Sequence, residues 1–255
     1  TIRSILGIMQ PDEGKALWNG KKITRDTLAF GYLPEERGIY MKAKVLEQLI
    51  YFGMLRGMKK AEAKQSAQEL MEQLQVTEYQ NMQAEKLSKG NQQKIQLIAA
   101  IIHRPQLIFL DEPFSGLDPV NAVVLRNLVK KLVKEGKYII LSTHQMETVE
   151  EYCKNLVILD RGKTLLNGTL KDIKRAYGRS NLIVSAEKDV RDIARQEGLE
   201  VFEERAAETE YKIQSEEMAC CFLKHMLAEE IYPLKFQIME PSLQEIFVKK
   251  AGESR

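Results

Sequence analysis

Apolar residues recur at positions 2, 5, 6 and 9, the spacing of a buried helical stripe. Pro11 to Gly14 closes that helix. The stretches 15–18 and 21–23 flank Asn19-Gly20 and predict a β-hairpin, because both turn positions tolerate positive φ. A short apolar strand is expected at 29–33, ending at Pro34. From 45 to 75 the pattern is helical, broken at Gly57-Met58. Its first half is apolar and aromatic (Leu46, Leu49, Ile50, Phe52, Leu55), and its second half, 61–74, is charged and amphipathic. A helix over 91–102 follows, with Ser88 as its N-cap. The stretch 106–110 has no alternation and reads as a strand buried on both faces. Asp118-Pro119 opens another helix and Gly136 ends it. Buried strands at 138–141 and 156–159 bracket a helix over 145–153, and Asp160-Arg-Gly162 turns the chain into 164–166. Buried strands alternating with helices predict an α/β fold with a parallel sheet and α crossovers.

Beyond Gly178 the order changes. Strands at 181–186, 199–204, 209–214 and 233–239 interleave with helices at 189–197 and 216–229. That β-α-β-β-α-β order is the ferredoxin-like pattern and predicts a small α+β domain over 179–255 behind a first domain over 1–178. Ser242-Leu-Gln-Glu245 after Pro241 is a capping box for a final helix.

Composition narrows the function classes. The 255 residues carry 38 Lys plus Arg against 36 Asp plus Glu, a net charge of +2 that supports neither nucleic-acid backbone nor anionic lipid as a partner. The longest apolar run, 97–102, falls well short of the ~20 residues a membrane span needs. Three cysteines, Cys153, Cys220 and Cys221, form no CxxC and fit a reducing compartment rather than a disulfide framework or a cysteine-rich zinc site. His103 reads as a cation near a helix C-terminus.

Four short segments carry candidate chemistry. Asp111 and Glu112 follow a buried strand, at the end where ligands sit in open α/β sheets. An Asp there suits Mg²⁺ against nucleotide phosphates, and the neighbouring Glu suits orienting or deprotonating a water; a strand that ends in two solvated acids looks the same. Ser88-Lys89-Gly90-Asn91 precedes a helix and allows close approach to an anion, or is a plain capped start. Ser115-Gly116-Leu117-Asp118 is at least a capped turn. Ser142-Thr143-His144 ends the next buried strand, so His144 is expected at the same sheet edge as Asp111 and Glu112.

In this order and spacing the segments resemble the ABC ATPase cassette: signature loop at 87–91, Walker B at 107–112, D-loop at 115–118 and H-loop at 144, with Gly31-Tyr-Leu-Pro34-Glu35 similar to the Q-loop. Residues 40–100 or so look like the helical subdomain. The closing segment from Pro241 to Phe247 resembles the C-terminal extension of a bacterial sodium- and drug-efflux branch. The resemblance implies a P-loop NTPase-type cassette that binds ATP and Mg²⁺ and closes head to tail on a second cassette, identical or related, at the inner face of the membrane. Integral membrane transporter subunits are the other implied partners, and no nucleic acid is expected. It implies that Asp111 and Glu35 serve Mg²⁺, that Glu112 polarises the attacking water, and that His144 senses the γ-phosphate. Ser88, Lys89, Gly90 and Asn91 would meet the ATP of the other protomer, and Asp118 would couple the two sites. A soluble ABC ATPase and a scaffold without nucleotide binding are the alternatives.

Three departures from that pattern stand out. The phosphate loop GxxxxGK[ST] is absent from the sequence; by the resemblance it falls upstream of Thr1, in a longer, normal ATPase, and residues 1–255 alone are expected to bind ATP poorly or not at all. The signature reads Leu-Ser-Lys-Gly-Asn, with Lys89 adding a positive charge beside the phosphate site. Glu35 stands where the family has Gln, a carboxylate that can still ligate Mg²⁺-bound water.

Overall fold

Helix α1 (Ile2–Ile5) is shorter than its apolar stripe implies. Gly7, at φ 69°, takes the left-handed conformation that ends it, so Ile8 and Met9 face water. Ile2, Ile5 and Leu6 still pack with Phe30, Leu107 and Phe109. Strands β1 (Leu17–Trp18) and β2 (Lys21–Lys22) pair antiparallel around Asn19 at φ 48° and Gly20 at φ 79°, the positive pair a type I′ turn requires. The structure, a computed structural model, describes residues 1–24, 27–36 and 38–253. They fall into two units, Thr1–His144 and Gln145–Arg255.

The first unit is built on a parallel sheet of order β3 (Phe30–Leu33), β4 (Leu107–Asp111), β5 (Tyr138–Ser142). Helices α2 (Val45–Leu55) and α3 (Lys60–Gln73) form a pair, followed by α4 (Lys89–Ile101); α5 (Pro119–Lys134) crosses over from β4 to β5. β4 is buried on both faces, as its apolar run predicts. Ile108 and Leu110 meet Ile95, Ile98, Leu125 and Leu128, while Leu107 and Phe109 face the α1 side. β5 corrects the expectation of a second fully buried strand: Ile139 and Leu141 pack inward, but Tyr138 and Ile140 are exposed on the other face. One close approach depends on glycine. A Cβ at Gly31 would lie 2.3 Å from the Ala100 carbonyl oxygen, so β3 sits against α4 only because residue 31 has no side chain.

The second unit starts with α6 (Met146–Tyr152), then β6 (Asn155–Asp160), β7 (Lys163–Thr169) and α7 (Leu170–Ala176). Here the expected third strand of the parallel sheet is corrected. β6 pairs antiparallel with β7 in a separate hairpin, turned by Arg161 and Gly162 at φ 47° and 78°, and its burial alternates. Such alternation marks a strand covered on one face. The remaining elements are β8 (Asn181–Ala186), α8 (Arg191–Gln196), β9 (Glu200–Glu204), β10 (Thr209–Lys212), α9 (Glu216–Ala228), β11 (Pro233–Met239) and α10 (Leu243–Glu253). Their antiparallel sheet has the order β11-β8-β10-β9, the split βαβ topology expected from the element order. Tyr211, Phe222 and Met226 form the centre of its core, and β9 is an outer strand whose residues are all exposed. The capping box is reciprocal: the Ser242 N–H donates to Glu245 at 3.0 Å and the Glu245 N–H donates to the Ser242 hydroxyl at 3.2 Å.

Candidate functional site

Parallel pairing sends the C-terminal ends of β3, β4 and β5 to one edge of the sheet, and each is followed by a segment singled out in the sequence. At the end of β4, Asp111 stands in register with Ser142, whose hydroxyl donates to the Asp111 carboxylate. Glu112 then takes φ 48°, a left-handed conformation unusual for a residue with a Cβ, while its N–H donates to the Ser142 carbonyl at 2.9 Å. This turn swings its carboxylate onto the segment that follows β5. The Thr143 hydroxyl donates to one carboxylate oxygen at 3.1 Å, and the His144 N–H and ring Nδ1 both donate to the other at 2.8 Å. The Glu112 side chain is 14% exposed and that of His144 is 75% exposed, so the cluster has a shielded acid and an open imidazole. A carboxylate offers about four acceptor positions. Three are occupied, and one is left for a water.

Glu35 lies two residues beyond β3, exposed, at the same edge; no described hydrogen bond joins it to the Glu112 cluster. Arg3 also faces this region: Tyr32 first, then the charges of Glu36 and Asp111, hold its guanidinium still more firmly protonated than usual. The donors at this edge are oxygens, which suit a hard cation. Among the described residues no three His, Cys, Asp or Glu side chains converge on one point.

Ser88–Asn91 and Asp118 form a second group. The Ser88 hydroxyl accepts from the Asn91 N–H at 3.3 Å as the cap of α4, and Ser88 and Lys89 are exposed. Gly90 is buried against α5, where a Cβ would lie 2.8 Å from the Asn121 amide nitrogen. That amide donates to Asp118 at 2.5 Å, and the Asn121 N–H donates to its other oxygen at 3.0 Å. These two bonds hold the Asp118 carboxyl below the usual carboxylate range. Lys94, one turn along α4, is buried; desolvation lowers its ammonium pKa, and the nearby charge of Asp118 works against that shift.

The structure therefore gathers Asp111, Glu112 and His144 and sets Ser88–Asn91 with Asp118 apart. Sequence reasoning gave Thr143 and Ser142 no role of their own, and it passed over the α4 glutamines. Gln93 donates to the Pro113 carbonyl at 3.3 Å, and Gln96 donates to two carbonyls beside Glu35. The available signal was Gln96 itself, an amide inside an otherwise apolar helical stripe. His103 is also corrected. It is no cap cation: its Nε2 donates to the Phe30 carbonyl at 3.1 Å, and burial, with the Arg56 charge adding to it, pushes its pKa down to about 4.

Residues 1–115 match the family model described as ABC transporter, and residues 168–251 match the model of the ATP-binding protein DrrA1-3-like C-terminal domain. An ABC transporter ATP-binding protein of Alkalihalophilus pseudofirmus is 43% identical over 99% of this chain and 94% of its own length. YhaQ of Bacillus subtilis, also an ABC transporter ATP-binding protein, is 43% identical over 99% of this chain and 85% of its own. The linearmycin resistance ATP-binding protein LnrL of the same bacterium is 29% identical across 100% of this chain and 86% of its own. A solved structure of an ATP-binding subunit of an ABC transporter superposes with a TM-score of 0.63 at 32% identity, covering 69% of this chain and 75% of that one.

Proposed function

The chain belongs to the ABC transporter ATP-binding family, and from that premise we propose that it is the ATP-hydrolysing subunit of an efflux-type transporter. The observation that carries the proposal is the Glu112 carboxylate, fixed by Thr143 and His144 at the sheet edge that also bears Asp111. Phosphoryl transfer to water asks a protein mainly for positioning and charge neutralisation. Glu112, with one acceptor position open, holds the attacking water and draws its proton. Asp111, with Glu35 at the same edge, would hold the Mg²⁺, which when bound neutralises phosphate charge. The exposed His144 ring moves from Glu112 to the γ-phosphate when ATP is present, which frees a second acceptor position on Glu112.

The signature residues Ser88, Lys89, Gly90 and Asn91 lie outside that cluster, which supports a role toward the γ-phosphate of ATP held by a second cassette. Asp118, fixed by Asn121 beside Gly90, sits where it reports on that contact. Binding would thus join two cassettes and hydrolysis part them, a population shift driven by differential affinity. Tyr40, Tyr51, Met54 and Leu55 are exposed around α2, with Tyr40 stacked on Phe52 at 5.6 Å. An apolar patch of this kind suits membrane transporter subunits, and no described helix is long and apolar enough to span a bilayer itself. In this reading the protein works at the inner face of the membrane. The name of the LnrL relative, a resistance protein, and the DrrA-like match support the efflux assignment.

The test is Glu112→Gln in the protein. Hydrolysis should fall about 10²- to 10⁴-fold, the range for loss of a general base, while ATP affinity holds. Hydrolysis at the wild-type rate would remove Glu112 from the mechanism.

A further inference from the structure

Gln96 is 3% exposed and stands two turns along α4 from Ser88. Both N–H bonds of its amide are used: Nε2 donates to the Pro34 carbonyl at 3.0 Å and to the Glu36 carbonyl at 2.9 Å. The two acceptors flank Glu35, so one buried amide grips the backbone on either side of that carboxylate. Its own Oε1 finds no partner among the described residues, and an unpartnered buried acceptor costs free energy. As core filling the position would be better served by Leu or Met, in keeping with its neighbours Ile95, Leu97 and Ile98. The same helix is fastened at three other points: to β3 through the bare Gly31–Ala100 contact, to the residue after Glu112 through Gln93 and Pro113, and to Asn121 beside Asp118 through Gly90.

We infer that Gln96 is a positioning residue. It clamps the Glu35 segment to α4, so that the carboxylate serving the chain's own nucleotide and the Ser88–Asn91 loop offered to a neighbour move as one body. The inference rests on the reading of Glu35 as a Mg²⁺-serving group, and the experiment separates the two. Gln96→Met keeps the volume and removes both donors. In the protein without nucleotide, amide hydrogen exchange at residues 35, 36, 38 and 39 should quicken several-fold while β4 stays protected. With ATP, the Mg²⁺ concentration for half-maximal hydrolysis should rise about 10-fold, as for loss of an outer-shell partner. Glu35→Ala should shift it the same way, and the double variant should be no worse than Glu35→Ala alone. Unchanged exchange at residues 35, 36, 38 and 39 in folded Gln96→Met overturns the clamp. So does a Mg²⁺ requirement that moves in Glu35→Ala and stays put in Gln96→Met. If Glu35→Ala leaves the requirement unmoved, the Glu35 reading fails and the exchange result alone judges Gln96. Should Gln96→Met not fold, Gln96→Asn, one methylene too short for both carbonyls, gives the same comparison.

Discussion

Single residues here are set by what surrounds them more than by their type. His103 shows this best. Its ring donates to Phe30 and lies partly buried beside Arg56, so it stays neutral down to about pH 4 rather than its ordinary 6.5. In the unfolded chain it would protonate earlier, so stability is complete above pH 6.5 and is lost as the pH falls from there toward 4. Between pH 7 and pH 5 the loss should be about 2 kcal/mol. Comparing urea midpoints at pH 7 and pH 5 should show a drop for wild type and a flatter response for His103→Gln, which keeps a donor and cannot titrate. Equal pH dependence in the two would mean that the ring is solvated. The sequence placed His103 near a helix end but held no sign of the carbonyl from residue 30 that meets it. Glu112 is the converse case. Its position after an apolar strand was legible, whereas the left-handed turn that carries it to Thr143 and His144 arises only once β5 lies beside β4.

Elements followed the sequence where local rules dominate. The Asn19-Gly20 and Arg161-Gly162 turns, the Ser88 and Asp118 caps and the break near Gly57 all appear where turn and cap chemistry put them. Partnership was harder to read. β6 looked like another strand of the parallel sheet because four apolar residues in a row suit both a buried strand and one half of a hairpin. β5 carries the same kind of run yet leaves Tyr138 and Ile140 uncovered. Packing between elements is also where glycine matters most. Gly31→Ala would drive a methyl into the Ala100 carbonyl, backbone against backbone, with no flexible atom to yield. It should cost about 3 kcal/mol in denaturant unfolding, at the upper end for overpacking. A cost below about 0.5 kcal/mol, the scale of an ordinary surface change, would show that α4 can slide along β3.

At the scale of the whole molecule, the cassette was readable from motif order, because a phosphate-handling edge needs several segments at fixed places along one chain, and the small C-terminal domain from its element order. The exposed apolar patch around α2 was readable only in part. The apolar first half of α2 was plain in the sequence, but the stacking of Tyr40 on Phe52 depends on a loop folding back onto that helix. If that patch is the docking surface, Leu55→Glu should leave ATP hydrolysis by the isolated subunit unchanged and abolish its co-purification with membrane transporter subunits. Co-purification at the wild-type level would place the docking surface elsewhere.

The four-stranded sheet of the second unit ends at β9, which bears Glu200, Glu203 and Glu204 together with the uncovered Val201 and Phe202. A bare border of this kind invites another chain to add on by backbone pairing, and the charged side chains along it, with Glu203 and Glu204 paired to Arg205 and Arg191, oppose that because pairing would bury them. Copies of this chain brought side by side are thereby hindered from zipping together along β9.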